Sequence, residues 1–157
     1  MKPLSNIVIG AMLMLGVLGF ADAAYLSANH FFGTPLVCTI FHGCDTVTTS
    51  VYSKIGPIPV ALLGLVYYLT IILLLVAYVD TRNKLLPRII ALLTPLGLLA
   101  SLWFVFVQLF LVKAICLYCM ISATTSTTLF IFGMVVLCKE GRARKKSIQA
   151  PERDPNS

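Results

Sequence analysis

Four long apolar runs, separated by polar breaks, set the layout of the chain. They cover residues 4–26, 58–79, 88–112 and 114–137. Each is long enough to cross a bilayer as a helix. The pattern predicts an all-α membrane protein: a four-transmembrane-helix bundle with one extracytoplasmic loop, residues 27–57. Gly10, Gly16 and Gly19 offer small faces on the first run, and Ala61 and Gly64 do so on the second. Ala21-Asp22-Ala23 has the form of a signal-peptide cleavage site. The apolar run continues past it through Leu26, so a retained span is expected, with Asp22 either at the membrane interface, as preferred, or a buried polar group with a role. Pro57 and Pro59 mark the start of the second run, where proline is tolerated. Pro95 is expected to kink the third helix, and Gly97 and Ser101 form a small-xxx-small pair. Lys113 alone separates the third and fourth runs, which predicts a tight hairpin. In the loop, Asp45 to Ser53 reads as a short helix, with Val47 and Val51 on one face and Asp45 at the positive end of its dipole. Residues 139–157 form a basic tail, expected to be disordered.

Composition supports a membrane class. Hydrophobic residues make up 59% and charged residues 11%, against about 45–50% and about 25% in soluble domains. One domain is expected. The net charge of +6 could point to nucleic acid, but its placement does not. With both termini in the cytoplasm, Lys2, Arg82, Lys84, Arg88, Lys139, Arg142, Arg144, Lys145, Lys146 and Arg153 lie inside. Only Lys54 and Lys113 then lie outside. That is the positive-inside bias of a cytoplasmic (inner) membrane protein. The basic tail fixes topology and meets anionic lipid of the bilayer, and no nucleic-acid partner is expected.

The same topology places Cys38, Cys44, Cys116 and Cys119 outside the cytoplasm and Cys138 at its edge. Disulfides persist outside and are rare inside, so the four outer cysteines make two pairs. Cys116-Leu117-Tyr118-Cys119 opens the fourth run. A disulfide there closes only a tiny loop and stabilises little. A helix N-terminus favours thiolate, the attacking species in thiol–disulfide exchange. A redox pair is therefore expected. Cys38 and Cys44 enclose five residues. They form either a loop staple or, as preferred, a relay with the helix pair. The spacing of Cys38, His42 and Cys44 fits none of the usual zinc patterns, so no metal is expected. His30 and His42 read as interfacial or hydrogen-bonding residues. Cys119, Ser122 and Ser126 share a helical face that could line a pocket for a lipid-soluble oxidant. Most hydroxyls of the 122–128 run are expected to bond the carbonyl four residues back. Cys138 is expected to have no special role. The alternative is a small transport or scaffold protein with structural disulfides, but the paired intramembrane charges of ion pathways are missing.

The chain resembles the vitamin K epoxide reductase family in its short bacterial form. The resemblance rests on Cys38 and Cys44, on Gly43-Cys44-Asp45-Thr46-Val47 with Ser50, on Gly56-Pro57-Ile58-Pro59-Val60-Ala61 with Gly64, and on Cys116-Leu117-Tyr118-Cys119. It covers residues 5–138. It implies a four-helix bundle around a quinone (ubiquinone or menaquinone) and reoxidation of a DsbA-like or thioredoxin-like partner. Some members carry that partner fused at the C-terminus; here a separate protein is expected. The family pattern assigns Cys38 to the partner, Cys44 to exchange with Cys116, and Cys119 to the quinone. Ser50 matches a serine kept near the active site. Ser50, Ser122 and Ser126 are the residues expected to contact the quinone. Animal members that reduce vitamin K epoxide have a tyrosine where Ala123 stands, so ordinary quinone reduction is preferred.

Overall fold

The computed structural model describes residues 6–32, 47, 53–55, 58–83 and 85–148. Side chains are described for all of these except 54, 55 and 139–148. Helix α1 spans Asn6–Phe32. Two short strands, β1 (Lys54–Ile55) and β2 (Ile58–Pro59), pair antiparallel, with Lys54 opposite Pro59 and Ile55 opposite Ile58. Helix α2 is Val60–Thr81 and helix α3 is Leu85–Phe106. A π-helical turn, Val107–Val112, continues α3. Helix α4 runs Leu117–Ile148. Four segments are long and apolar enough to cross a membrane: Asn6–Phe32, Val60–Thr81, Leu85–Val112 and Leu117–Cys138.

Two expected boundaries move. α1 continues six residues past Leu26, because Ser27 to Phe32 holds no proline or glycine to stop it. α4 runs on through Ile148, so the first part of the basic tail is helical. Its Glu, Arg and Lys residues are good helix formers and extend a helix already nucleated in the membrane. Of the expected loop helix, Asp45 to Ser53, Val47 is described as α-helical and Ser53 as part of a 3-10 turn; the other residues lie outside the described ones.

Packing follows membrane rules. α1 contacts α2 and α4, and α3 contacts α2 and α4, which closes a four-helix ring. Large apolar side chains such as Leu63, Val66, Leu73 and Leu96 point outward. Lipid is as apolar as leucine, so the inner faces are selected by small residues and hydroxyls. A Cβ at Gly19 would overlap the Tyr68 ring, and one at Gly97 would overlap the Tyr67 ring. These two glycines let tyrosines of α2 lie flat on α1 and α3. Tyr68 is 2% exposed. Its hydroxyl bonds to the Ser122 carbonyl (2.9 Å), the Ser122 hydroxyl (3.1 Å) and the Thr125 hydroxyl (3.0 Å), crossing the ring from α2 to α4.

Pro95 lies inside α3 and has no N–H for the carbonyl of Ala91. The Thr94 hydroxyl donates to that carbonyl at 3.0 Å, so the group is satisfied within the membrane. Thr124, Thr127 and Thr128 bond the carbonyls of Met120, Ala123 and Thr124 at 2.7–2.8 Å, four residues back, as expected. A small apolar pocket lined by Met12, Leu75, Tyr78, Pro87, Ile90, Gly133 and Val136 lies at the end of the bundle far from the Cys-x-x-Cys pair.

Candidate active site

The link between α3 and α4 builds the cysteine site. Gln108 sits in the π-helical turn and is 1% exposed. Lys113 adopts the left-handed conformation, φ 53°, and its N–H reaches the Gln108 carbonyl. The Ala114 N–H reaches the same carbonyl at 3.2 Å. The Gln108 side-chain Oε1 accepts the Cys116 N–H at 2.8 Å. One residue therefore fixes three backbone donors of a four-residue link. Single π turns of this kind recur at functional sites.

Cys116 precedes the first residue of α4 and serves as its N-cap. Its carbonyl accepts the Met120 N–H at 3.1 Å, the first bond of the helix. Its side chain is fully buried in a cluster with Val47, against which Val112, Ala114, Tyr118 and Cys119 pack. Its sulfur does what a serine oxygen does at other helix starts. The Cys119 thiol donates to it, and the backbone N–H groups of Cys119 and Tyr118 point at it. The Cys119 thiol is the main cause, with burial opposing and the two N–H groups assisting. Together they hold the Cys116 thiol at about 7, below its ordinary 9.0. Cys116 and Cys119 are both free thiols here.

Asp22 comes to this site from α1. The structure buries it, 9% exposed, where the sequence pattern favours the interface. The Tyr25 and Tyr118 rings, 5.0 Å apart between centroids, dock α1 against the start of α4. Asp22 is coupled electrostatically to Cys116, Tyr118 and Cys119. Its Oδ2 and the Gln108 Nε2 are buried with no hydrogen-bond partner among the described residues.

The remaining expected residues divide into three groups. Ser122 lies near Cys119 along α4, with its hydroxyl joined to Tyr68. The Ser126 hydroxyl bonds Ser101 of α3 and the Ala123 carbonyl. Cys38, Cys44 and Ser50 lie outside the described residues. Cys138 is exposed and stands about 28 Å along α4 from Cys119 at the helical rise of 1.5 Å per residue. Gln108 carries no sequence signal except being a lone amide in an apolar run, eight residues before a Cys-x-x-Cys.

The sequence profile described as the Vitamin K epoxide reductase family matches residues 10–134, most of the chain. The chain belongs to the vitamin K epoxide reductase family. No curated protein matches the sequence. Family membership makes the chain a membrane redox enzyme, and members of the vitamin K epoxide reductase family use quinones.

Proposed function

We propose that this vitamin K epoxide reductase family member oxidises the dithiol of a thioredoxin-fold partner and passes two electrons through its cysteine pairs to a quinone. The observation that carries the reading is the contact of Val47 with Cys116. Val47 follows Cys44 by three residues, at most about 11 Å of extended chain. Chain length thus allows the loop cysteine to reach the helix pair. The active side is the extracytoplasmic one and both termini are cytoplasmic, on the charge distribution given above.

The chemistry runs by thiol–disulfide exchange. A partner thiolate attacks Cys38 of the Cys38–Cys44 disulfide, and its second thiol releases the oxidised partner. The freed Cys44 thiolate attacks Cys116 of the Cys116–Cys119 disulfide. The Cys44–Cys116 bond forms and Cys119 leaves as thiolate. Cys38 then attacks Cys44, restores the loop disulfide and releases Cys116 as thiolate. The Cys116 thiolate is a stabilised leaving group because the backbone N–H groups of Tyr118 and Cys119 point at its sulfur.

A bound quinone supplies the acceptor for two electrons and two protons that returns the helix pair to the disulfide. The residues fit such a group. Quinone carbonyls are acceptors, and Gln108 Nε2 and the Tyr67 hydroxyl are buried donors with no partner among the described residues. Those two residues, with Ser50, Ser122 and Ser126 as the sequence expectations, are the candidates to hold it. The test uses a reduced DsbA-like protein with the purified chain and a water-soluble quinone analogue. The expected result is one quinol, read by absorbance, for each partner disulfide formed, and none with Cys116→Ser. Partner oxidation that persists in Cys116→Ser would defeat the proposal.

A further inference from the structure

We propose that Asp22 is the proton partner of the Cys116–Cys119 pair, taking up a proton that the dithiol gives up when it is oxidised. The inference rests on the thiol-oxidase reading above. Asp22 is a carboxyl within an apolar span, nine-tenths buried, and its Oδ2 has no hydrogen-bond partner among the described residues. Leaving a carboxylate oxygen buried and unpartnered costs several kcal/mol in general, so its position calls for a reason. No packing reason is visible. Gly19 and Ala23, its neighbours along α1, make the contacts with α2 at Tyr68 and Gly64.

The surroundings supply the reason. The titratable groups facing Asp22 from α4 and its N-cap are Cys116, Tyr118 and Cys119. From α2 the nearest phenol in register is Tyr68, whose hydroxyl is already bonded to Ser122 and Thr125. On α1, Tyr25 stands one turn away, its ring tilted against Tyr118. No lysine or arginine is among its described electrostatic partners. Among the described residues Asp22 is therefore no half of an ion pair; the groups coupled to it are two thiols and a phenol. A carboxylate beside a thiol, shielded from water, is positioned to take the proton as general base.

The balance is simple. Oxidation of the dithiol forms one S–S bond and releases two electrons and two protons. The electrons go to an electron-accepting quinone. One proton moves from a thiol sulfur to Asp22, and both protons finally accompany the electrons to the quinol. Between turnovers Asp22 returns to carboxylate.

Asp22→Asn and Asp22→Glu are compared in the full chain, with the other cysteines replaced by serine so that only Cys116 and Cys119 react. Two readouts are taken, and the first needs no quinone. It is the pH profile of Cys116 alkylation by N-ethylmaleimide, read by mass spectrometry. Removing a neighbouring negative charge makes thiolate easier to form, so Asp22→Asn should alkylate about threefold faster at about pH 6, below the wild-type midpoint, where little of the thiol is ionised. The second is the rate at which a soluble quinone analogue oxidises the reduced pair. Loss of the proton acceptor should slow it at least about tenfold. Asp22→Glu should restore both. Opposite signs in the two readouts are the signature, since a merely loosened site would speed or slow both together. Two unchanged rates, or two rates that fall together in Asp22→Asn without rescue by Glu, overturn the proposal. If the wild-type pair is not oxidised by quinone at all, the oxidase reading fails. The alkylation profile then still decides whether Asp22 and the pair share a proton.

Discussion

Replacing Gln108 with methionine removes the acceptor for the Cys116 N–H while keeping side-chain length and apolar contact. The 2.8 Å bond it breaks is buried. An orphaned buried donor costs about 1–3 kcal/mol, or about five- to 150-fold in local opening. The Gln108 amide also has a buried Nε2 without a described partner, and removing it offsets part of that loss. The lower part of the range, about tenfold, is therefore expected. The effect should be local, because the bonds from Lys113 and Ala114 go to the Gln108 backbone carbonyl and survive the substitution. Amide hydrogen exchange of a peptide covering residues 113–120, in detergent or nanodiscs, reads it directly. Gln108→Glu is the contrast. It keeps an acceptor for the Cys116 N–H and adds negative charge near the sulfur. Exchange should stay slow while Cys116 alkylation moves to higher pH. If Gln108→Met leaves both exchange and thiol reactivity at wild-type values, Gln108 does not hold the N-cap and the geometric account of this site is wrong.

Other consequences are equally direct. Wild-type Cys116 should alkylate with a midpoint near pH 7, and Cys119→Ala, which removes the largest donor to its sulfur, should raise that midpoint toward 9.0. The sign carries over to stability: with the folded value below the ordinary one, reduced protein gains stability as pH rises from about 7 to 9.0 and loses it on the way down. Gly19→Ala should destabilise the bundle by about 1–3 kcal/mol through overlap with the Tyr68 ring. Tyr68→Phe should cost less, about 0.6–1.7 kcal/mol, because Thr125 keeps its bond to the Ile121 carbonyl; thermal unfolding in detergent orders the two. Cys138→Ser should leave partner oxidation unchanged, and an impermeant thiol reagent on reduced cells should label Cys38 or Cys44 but not Cys138.

The spans were legible because lipid demands apolar runs of a minimum length. The closeness of Cys116 and Cys119 was legible because that spacing puts two side chains on one turn at a helix start. Helix ends were not legible. α1 and α4 continue into polar sequence that lacks a stop signal, and apolar runs mark the membrane, not the helix. The interior was legible only in part. Gly19 and Gly97 were visible as small residues, but the tyrosines that fill the space they leave come from a different helix. The burial of Asp22 and the grip of Gln108 on the link are properties of the folded ring. Each is a single polar residue in an apolar run, with no periodicity to announce it.

The proposed relay turns on one bond, the transient disulfide between Cys44 and Cys116 that would carry electrons from the loop to the helix pair. Cys119→Ser removes the thiol that would compete for Cys116 and blocks the path to quinone. Non-reducing peptide mapping of that variant, after oxidation in membranes, should show a Cys44–Cys116 disulfide as the main species. Cys116→Ser should instead keep Cys38–Cys44 with Cys119 free. A Cys38–Cys116 bond in the Cys119→Ser variant would mean that the loop cysteines have exchanged roles, and a full set of unlinked thiols that still reduce quinone would contradict the relay.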